Sequence, residues 1–227
     1  MKISRDNKTW LYAIEWEDGR RSVVPSVTTV IDAALGTWRE QEIGMIKQAI
    51  RSGQEAGGIS YLGARLMRTA QAIVNAGDFG RKVHEATELD DAGILDEASL
   101  DPRIGACVSA WRAFKADLKL EITESERMVA SRLGYAGMVD ALAIIKGKLS
   151  VIEKKSRAFN PARDPLQTAA YAHAAAENIG EQIHLDRYVV SLNLDGSYSL
   201  HKNTDRGDLD IFRCCLAAYS WRKKHGQ

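Results

Sequence analysis

Two stretches, Gly137-Met138-Val139-Asp140 and Val151-Ile152-Glu153-Lys154-Lys155-Ser156, decide how this chain is read. Between them, Lys146-Gly147-Lys148 has the composition of a tight hairpin turn. Side chains alternate along a strand, so Glu153 and Lys155, two apart, point to one face. A Lys146-Gly147 loop sets Asp140 opposite Glu153, whereas a Gly147-Lys148 loop sets it opposite Lys155. Either turn brings all three side chains to one face, and a slip of one residue reverses Asp140. Two carboxylates and a lysine on one sheet face suit a definite chemistry. Carboxylate oxygens hold Mg²⁺ or Mn²⁺, the ion engages phosphate oxygens, and the lysine orients or deprotonates an attacking water. Taken alone, the pattern more often marks a solvated strand face with a Glu–Lys ion pair.

Outward from this pair, strand-like periodicity extends to Glu124–Ser131, Tyr135–Ile145 and Leu149–Lys155, a three-stranded meander. An alanine-rich helix from Pro161 to Asn178, closed by Gly180, is followed by a strand from Leu185 to Leu194 and a last helix from Asp208 to Lys224. On the N-terminal side a helix carries Val108, Trp111, Phe114 and Leu118 on one face, and another starts near Asp78 and runs through His84 to Leu89. Residues from Trp38 to Asn75 read as two helices with a joint at Gly53 and Gly57-Gly58. A hairpin from Trp10 to Val24 turns at Asp18-Gly19, and Ser26 is a candidate cap for a helix at Val27 despite the β-branched run that follows. Helices interleaved with strands make the fold α/β or α+β. One domain over residues 1–227 is expected, with a hairpin and helical elaboration over 1–77 and a core over 78–227.

Composition narrows the function classes. The chain has 227 residues, 45% hydrophobic and 27% charged, which excludes a disordered or collagen-like chain. No apolar run approaches a membrane span, and the N-terminus lacks the apolar stretch of a secretory signal, so no membrane partner and a cytoplasmic location are expected. Three cysteines, Cys107, Cys214 and Cys215, are too few for a four-cysteine iron–sulfur or zinc site, and reduced core thiols are expected. No G-x-x-x-x-G-K-[ST] motif occurs, so no ATP motor is expected. The net charge of +1 points to no polyanionic partner by itself.

The motifs in chain order resemble the PD-(D/E)xK nuclease superfamily, in the branch of RecB-type nuclease domains, phage exonucleases and the mitochondrial genome maintenance exonuclease. Pro25-Ser26-Val27-Thr28-Thr29-Val30-Ile31 is similar to an N-terminal motif of that branch, and Gly80-Arg81-Lys82-Val83-His84 to its G-x-x-x-H helix. Glu126 followed by Gly134-Tyr135-Ala136-Gly137-Met138-Val139-Asp140 is similar to its "E…GyaGxxD" stretch. Glu153-Lys154-Lys155-Ser156 is similar to its (D/E)-x-K-(T/S), and Gln167-Thr168-Ala169-Ala170-Tyr171 to its Q-x-x-x-Y helix. The resemblance implies a restriction-endonuclease-like core, a central mixed β-sheet flanked by helices. It implies a metal-dependent DNA exonuclease of repair, recombination or replication, with Asp140 and Glu153 on Mg²⁺ or Mn²⁺, Lys155 as the catalytic lysine and His84 near the metal. An imidazole ligand suits Mn²⁺ better than Mg²⁺. Glu126 is a possible further carboxylate ligand, and Gln167 and Tyr171, one turn apart, face the lysine or the DNA backbone. Without the resemblance, His84 reads as a helix-surface residue beside Glu88, and Tyr171 as a core aromatic.

Local charge agrees with a nucleic-acid partner. From Ile145 to Pro165 there are six bases against two acids, a net of +4, whereas Glu85 to Asp101 holds seven acids and no base. Lys154, Arg157 and Arg163 are therefore expected contacts to the phosphates of single- or double-stranded DNA, without sequence readout, and the resemblance of the 25–31 motif adds Ser26 and Thr28. The acidic stretch reads as an exposed loop. Trp38, Tyr61, Arg65 and Arg68 suggest a strand-threading arch. A rival reading keeps the fold as a non-catalytic DNA-binding module or a partner of a recombination protein.

Overall fold

The computed structural model describes residues 1–6, 9, 11–36, 59–180 and 184–226, with the backbone alone over 59–74. Its centre is the expected hairpin. Strand β5, Tyr135–Ile145, pairs with β6, Lys148–Lys155, in a register that sets Ile145 against Lys148 and Ala141 against Ile152. The loop is therefore Lys146-Gly147, and both residues have positive φ, 50° and 76°. Two successive left-handed residues make a type I′ turn, whose twist matches that of the flanking strands. Glycine takes that conformation freely, and Lys146 adopts it on the strength of the pairing either side.

Around this hairpin a five-stranded mixed sheet runs in the order β4-β5-β6-β7-β8, with β4 at Glu121–Ser131, β7 at Asp186–Leu192 and β8 at Tyr198–Asn203. Every neighbouring pair is antiparallel except β6 and β7. Two parallel strands need a long crossover, and helix α4, Asp164–Ile179, supplies it. Five alanines on α4 are buried, which lets its backbone lie close to the sheet, and Gly180 closes it at φ 82°. The edge strand β8 is an addition to the expectation, with Tyr198 and Leu200 packed on the core.

Helices cover both faces. Helices α1 (Val27–Leu35), α4 and α5 (Gly207–Lys224) bury Val30, Tyr171 and Phe212 against one side. Helices α2 (Ile59–Asp91) and α3 (Pro102–Leu118) bury Val83, Trp111 and Phe114 on the other. The architecture is thus α/β, with a five-stranded mixed sheet between helical layers. A separate three-stranded antiparallel sheet holds the hairpin of β2 (Leu11–Glu15) and β3 (Arg21–Pro25), with β1 (Lys2–Arg5) added alongside β2. It packs Tyr12, Ile14 and Val24 on Ala130 and Ala136.

Several expectations are corrected. The helix expected to start at Asp78 is one continuous helix from Ile59, since Gly77 and Gly80 weaken a helix without ending it. Trp38 and the joint at Gly53 and Gly57-Gly58 lie outside the described residues, as do the side chains of Tyr61, Arg65 and Arg68. The helix at Val27 forms as the Ser26 cap suggests despite the β-branched run, because Ser26 Oγ accepts the Thr29 N–H at 3.0 Å and Val27, Val30 and Ile31 are buried. The acidic stretch is no simple loop. Its Asp90 and Asp91 end α2 and bind Arg112, Lys115 and the Trp111 Nε1–H of α3. Cys107 and Cys215 are buried thiols, whereas Cys214 is exposed. Among the described residues no helix is long and apolar enough to cross a membrane.

Candidate active site

Asp140 lies where the sheet opens. In a regular strand Val139 and Ala141 would share a face, yet Val139 packs with α4 and Ala141 with α2 and α3, so β5 turns over between them. The β5–β6 ladder stops at Ala141 and Ile152, while β6 stays paired with β7 through Lys155. Beyond that point the Asp140 carboxylate replaces a ladder bond, its Oδ2 accepting the Lys154 N–H at 2.6 Å. The register set by the Lys146-Gly147 turn brings Asp140 level with Glu153, the first of the two expected alternatives.

On the α2 side of Asp140, His84 Nδ1 is 3.3 Å from Asp140 Oδ1 and 4.0 Å from Glu126 Oε1. One ligand atom from each of His84, Glu126 and Asp140 lies within 4.8 Å of the others. Glu126 has φ 48°, a left-handed conformation that costs a non-glycine residue about 1 kcal/mol or more. Such strain inside a strand persists only where the surroundings hold it, and here it accompanies the carboxylate's turn toward Asp140.

On the α4 side, Lys155 Nζ donates to Glu153 Oε1 at 2.8 Å and to Gln167 Oε1 at 2.9 Å. Gln167 Nε2 in turn donates to Glu153 Oε1 at 2.8 Å and to Tyr171 Oη at 3.2 Å. Two of the three ammonium donors are thereby committed, and the third remains for a water or an anion. The one-turn spacing of Gln167 and Tyr171 puts both on this line, as the sequence suggests. Tyr171 is admitted by Gly137, where a Cβ would stand 2.4 Å from Tyr171 Cε1.

The electrostatics follow from burial and proximity. Asp140, beside its proton, pushes the His84 imidazole up to about 10 against the effect of burial. Burial alone would raise Asp140, but the His84 charge, with Lys154 and Lys155, brings it down to about 2. Glu153 is raised to about 7, first by burial and then by the neighbouring Asp140 charge. Glu126 Oε1 and Glu153 Oε2 are buried and accept no hydrogen bond. Orphaned carboxylate oxygens inside a protein are costly, and a divalent cation satisfies them. The His-and-carboxylate donor set fits Mg²⁺ or Mn²⁺ through Asp140, Glu126 and His84, with Glu153 Oε2 as a further available oxygen.

The expected phosphate contacts fare differently. Lys154 is only 1% exposed, so it does not face a ligand on the surface. Alternation sends its side chain to the face opposite Glu153 and Lys155, where Nζ donates to Thr87 Oγ1 at 2.9 Å over the Trp111 ring. Ser26 is buried and caps α1, so its hydroxyl is engaged, whereas Thr28 is exposed beside it. Arg157 forms a fork with the buried Asp164, and Arg163 pairs with Asp32 and the Gly36 carbonyl. Arg157 is thus engaged by an acid already counted within the stretch, and Arg163 by Asp32 outside it. Thr87 and Trp111 were not legible as site residues, and Gly137 was legible as a motif member but not as the seat of Tyr171. A lysine on the buried parity of a strand was the one signal for the first two.

The sequence matches no family model and no curated protein. Among solved structures the chain is similar to one described as "Crystal structure of SSO0001", at 17% identity over 63% of this chain and 71% of that chain, with a TM-score of 0.31. A likeness at that level carries no argument, and the site rests on this chain's own residues.

Proposed function

We propose that the protein is a divalent-metal-dependent DNA nuclease of the PD-(D/E)xK kind. The observation that carries this reading is the convergence of His84, Glu126 and Asp140 within 4.8 Å, next to a lysine held by Glu153 and Gln167. Asp140, Glu126 and His84 would hold the ion, with Glu153 Oε2 available to it. The chemistry such an ion would supply there is Lewis-acid polarisation of a phosphate oxygen and activation of water. Gln167 and Glu153 fix the Lys155 ammonium so that its free N–H orients the attacking water and offsets charge on the phosphoryl oxygens. Tyr171 and Gly137 keep Gln167 in place. Digestion from an end, and a role in repair or recombination, rest on the motif resemblance.

The test is digestion of end-labelled single- and double-stranded DNA in Mg²⁺, Mn²⁺ and EDTA. Cleavage is expected only with metal, and Lys155→Ala should slow it at least about a hundredfold. DNA binding without cleavage in either metal would overturn the nuclease and favour a non-catalytic DNA-binding module.

A further inference from the structure

Lys154 is the one member of the Glu153-Lys154-Lys155 run that the proposed reaction does not use. A buried ammonium needs a reason. Its side chain shares a face with Ile152, in the core formed by α2 and α3, and is 1% exposed. Thr87 Oγ1, at 2.9 Å, is its one close acceptor among the described residues, and the Trp111 ring centroid lies 5.1 Å away. A lysine has three donors, so this environment leaves its charge only partly compensated. The remaining counter-charge comes from the candidate metal centre. Glu126 Oε1, which accepts no hydrogen bond, is 4.0 Å from Lys154 Nζ. The Lys154 charge also acts on Asp140 and on His84, and its own backbone N–H is the donor to Asp140 Oδ2.

We propose that Lys154 is a built-in counter-ion of the metal centre, a positioning residue that holds the Glu126 and Asp140 carboxylates together without metal and competes with the incoming cation for them. The inference rests on the metal-site reading above. A fixed positive charge a few ångströms from carboxylates stabilises their assembly when no cation is bound. The same charge repels a cation that arrives there, and low surrounding polarity strengthens both effects. Lys154 thereby sets how tightly the site takes its ion, while Lys155, on the opposite face, serves the water. Thr87 and Trp111 would fix the distance of the ammonium from Glu126, which ties helices α2 and α3 to the metal affinity.

The test uses the full chain without DNA, so that no step of catalysis enters. Mn²⁺ binding is measured by calorimetry and by the spin-resonance signal of free Mn²⁺, and thermal unfolding is recorded with and without the ion. Lys154→Met keeps an unbranched side chain one atom shorter and removes its charge. It is expected to lower the melting temperature in EDTA, to tighten Mn²⁺ binding at least about tenfold, and to gain more stability from Mn²⁺ than the parent does. Thr87→Val is the control, since it disturbs the same packing and keeps the charge. It should lower the melting temperature without tightening the ion. A Lys154→Met protein that folds only when Mn²⁺ is present would support the proposal. Unchanged or weaker Mn²⁺ binding in Lys154→Met, or failure to fold in either condition, would overturn it. Absence of Mn²⁺ binding by the unsubstituted protein would instead overturn the metal-site reading itself.

Discussion

Gly137 shows how two motifs far apart in sequence depend on one another. Its missing side chain is the space into which the Tyr171 ring fits, and Tyr171 braces Gln167, which braces Lys155 and Glu153. Gly137→Ala should therefore cost about 1 to 3 kcal/mol by overpacking, read from urea midpoints. It should also slow metal-dependent cleavage at least about tenfold, since small misplacements of a catalytic group are expensive. In a Tyr171→Ala background the same substitution should cost little, because the clash has gone. An equal cost in both backgrounds would refute the interlock. The glycine and the tyrosine were each visible in the sequence as members of a motif, but their contact was not, because only the packing of α4 on β5 brings them together.

At the scale of elements, the basic segment joining β6 to α4 is a structural clamp as much as a surface. Arg157 forks onto Asp164, whose side chain is 1% exposed and also accepts the Asn160 N–H at 2.7 Å. Arg157→Ala would leave that carboxylate with a single donor. Because the guanidinium is partly exposed, the expected loss is about 1 to 2 kcal/mol in the urea midpoint. An arginine serving only to contact phosphate would change stability by less than about 0.5 kcal/mol. Any fall in DNA affinity on this substitution should then be judged against the loss of stability. Charge counting along the sequence treats such bases as free, whereas the fold supplies partners from Asp32, Gly36 and Asp164.

For the whole molecule, buried titratable groups make stability depend on pH. Glu153 is raised to about 7 by burial and by Asp140, so between roughly pH 4.5 and 7 the folded state holds a proton that the unfolded chain releases. Its contribution is present below that window and lost as pH rises through it, by about 3 kcal/mol at most. His84, raised to about 10 chiefly by Asp140, contributes stability below about pH 6.5 that is lost as pH rises toward 10. Asp90 acts in the opposite sense. Burial would raise its carboxyl, but Arg112 and Lys115 hold it down, so its contribution disappears as pH falls below about 4. In EDTA, urea midpoints should accordingly peak near pH 5 and decline toward pH 8, and Glu153→Gln should flatten the decline between 5 and 7. A profile unchanged by that substitution would place the titration elsewhere. The α/β class, the meander and the shared face of Glu153 and Lys155 were determined by the sequence alone, because strand alternation and a two-residue turn are local rules. The tertiary structure alone decided that β5 turns over at Asp140, that Glu126 reaches the same point, and that Lys154 is internal. Those outcomes depend on which helix covers each sheet face, and on partners that neutralise a charge from distant parts of the chain.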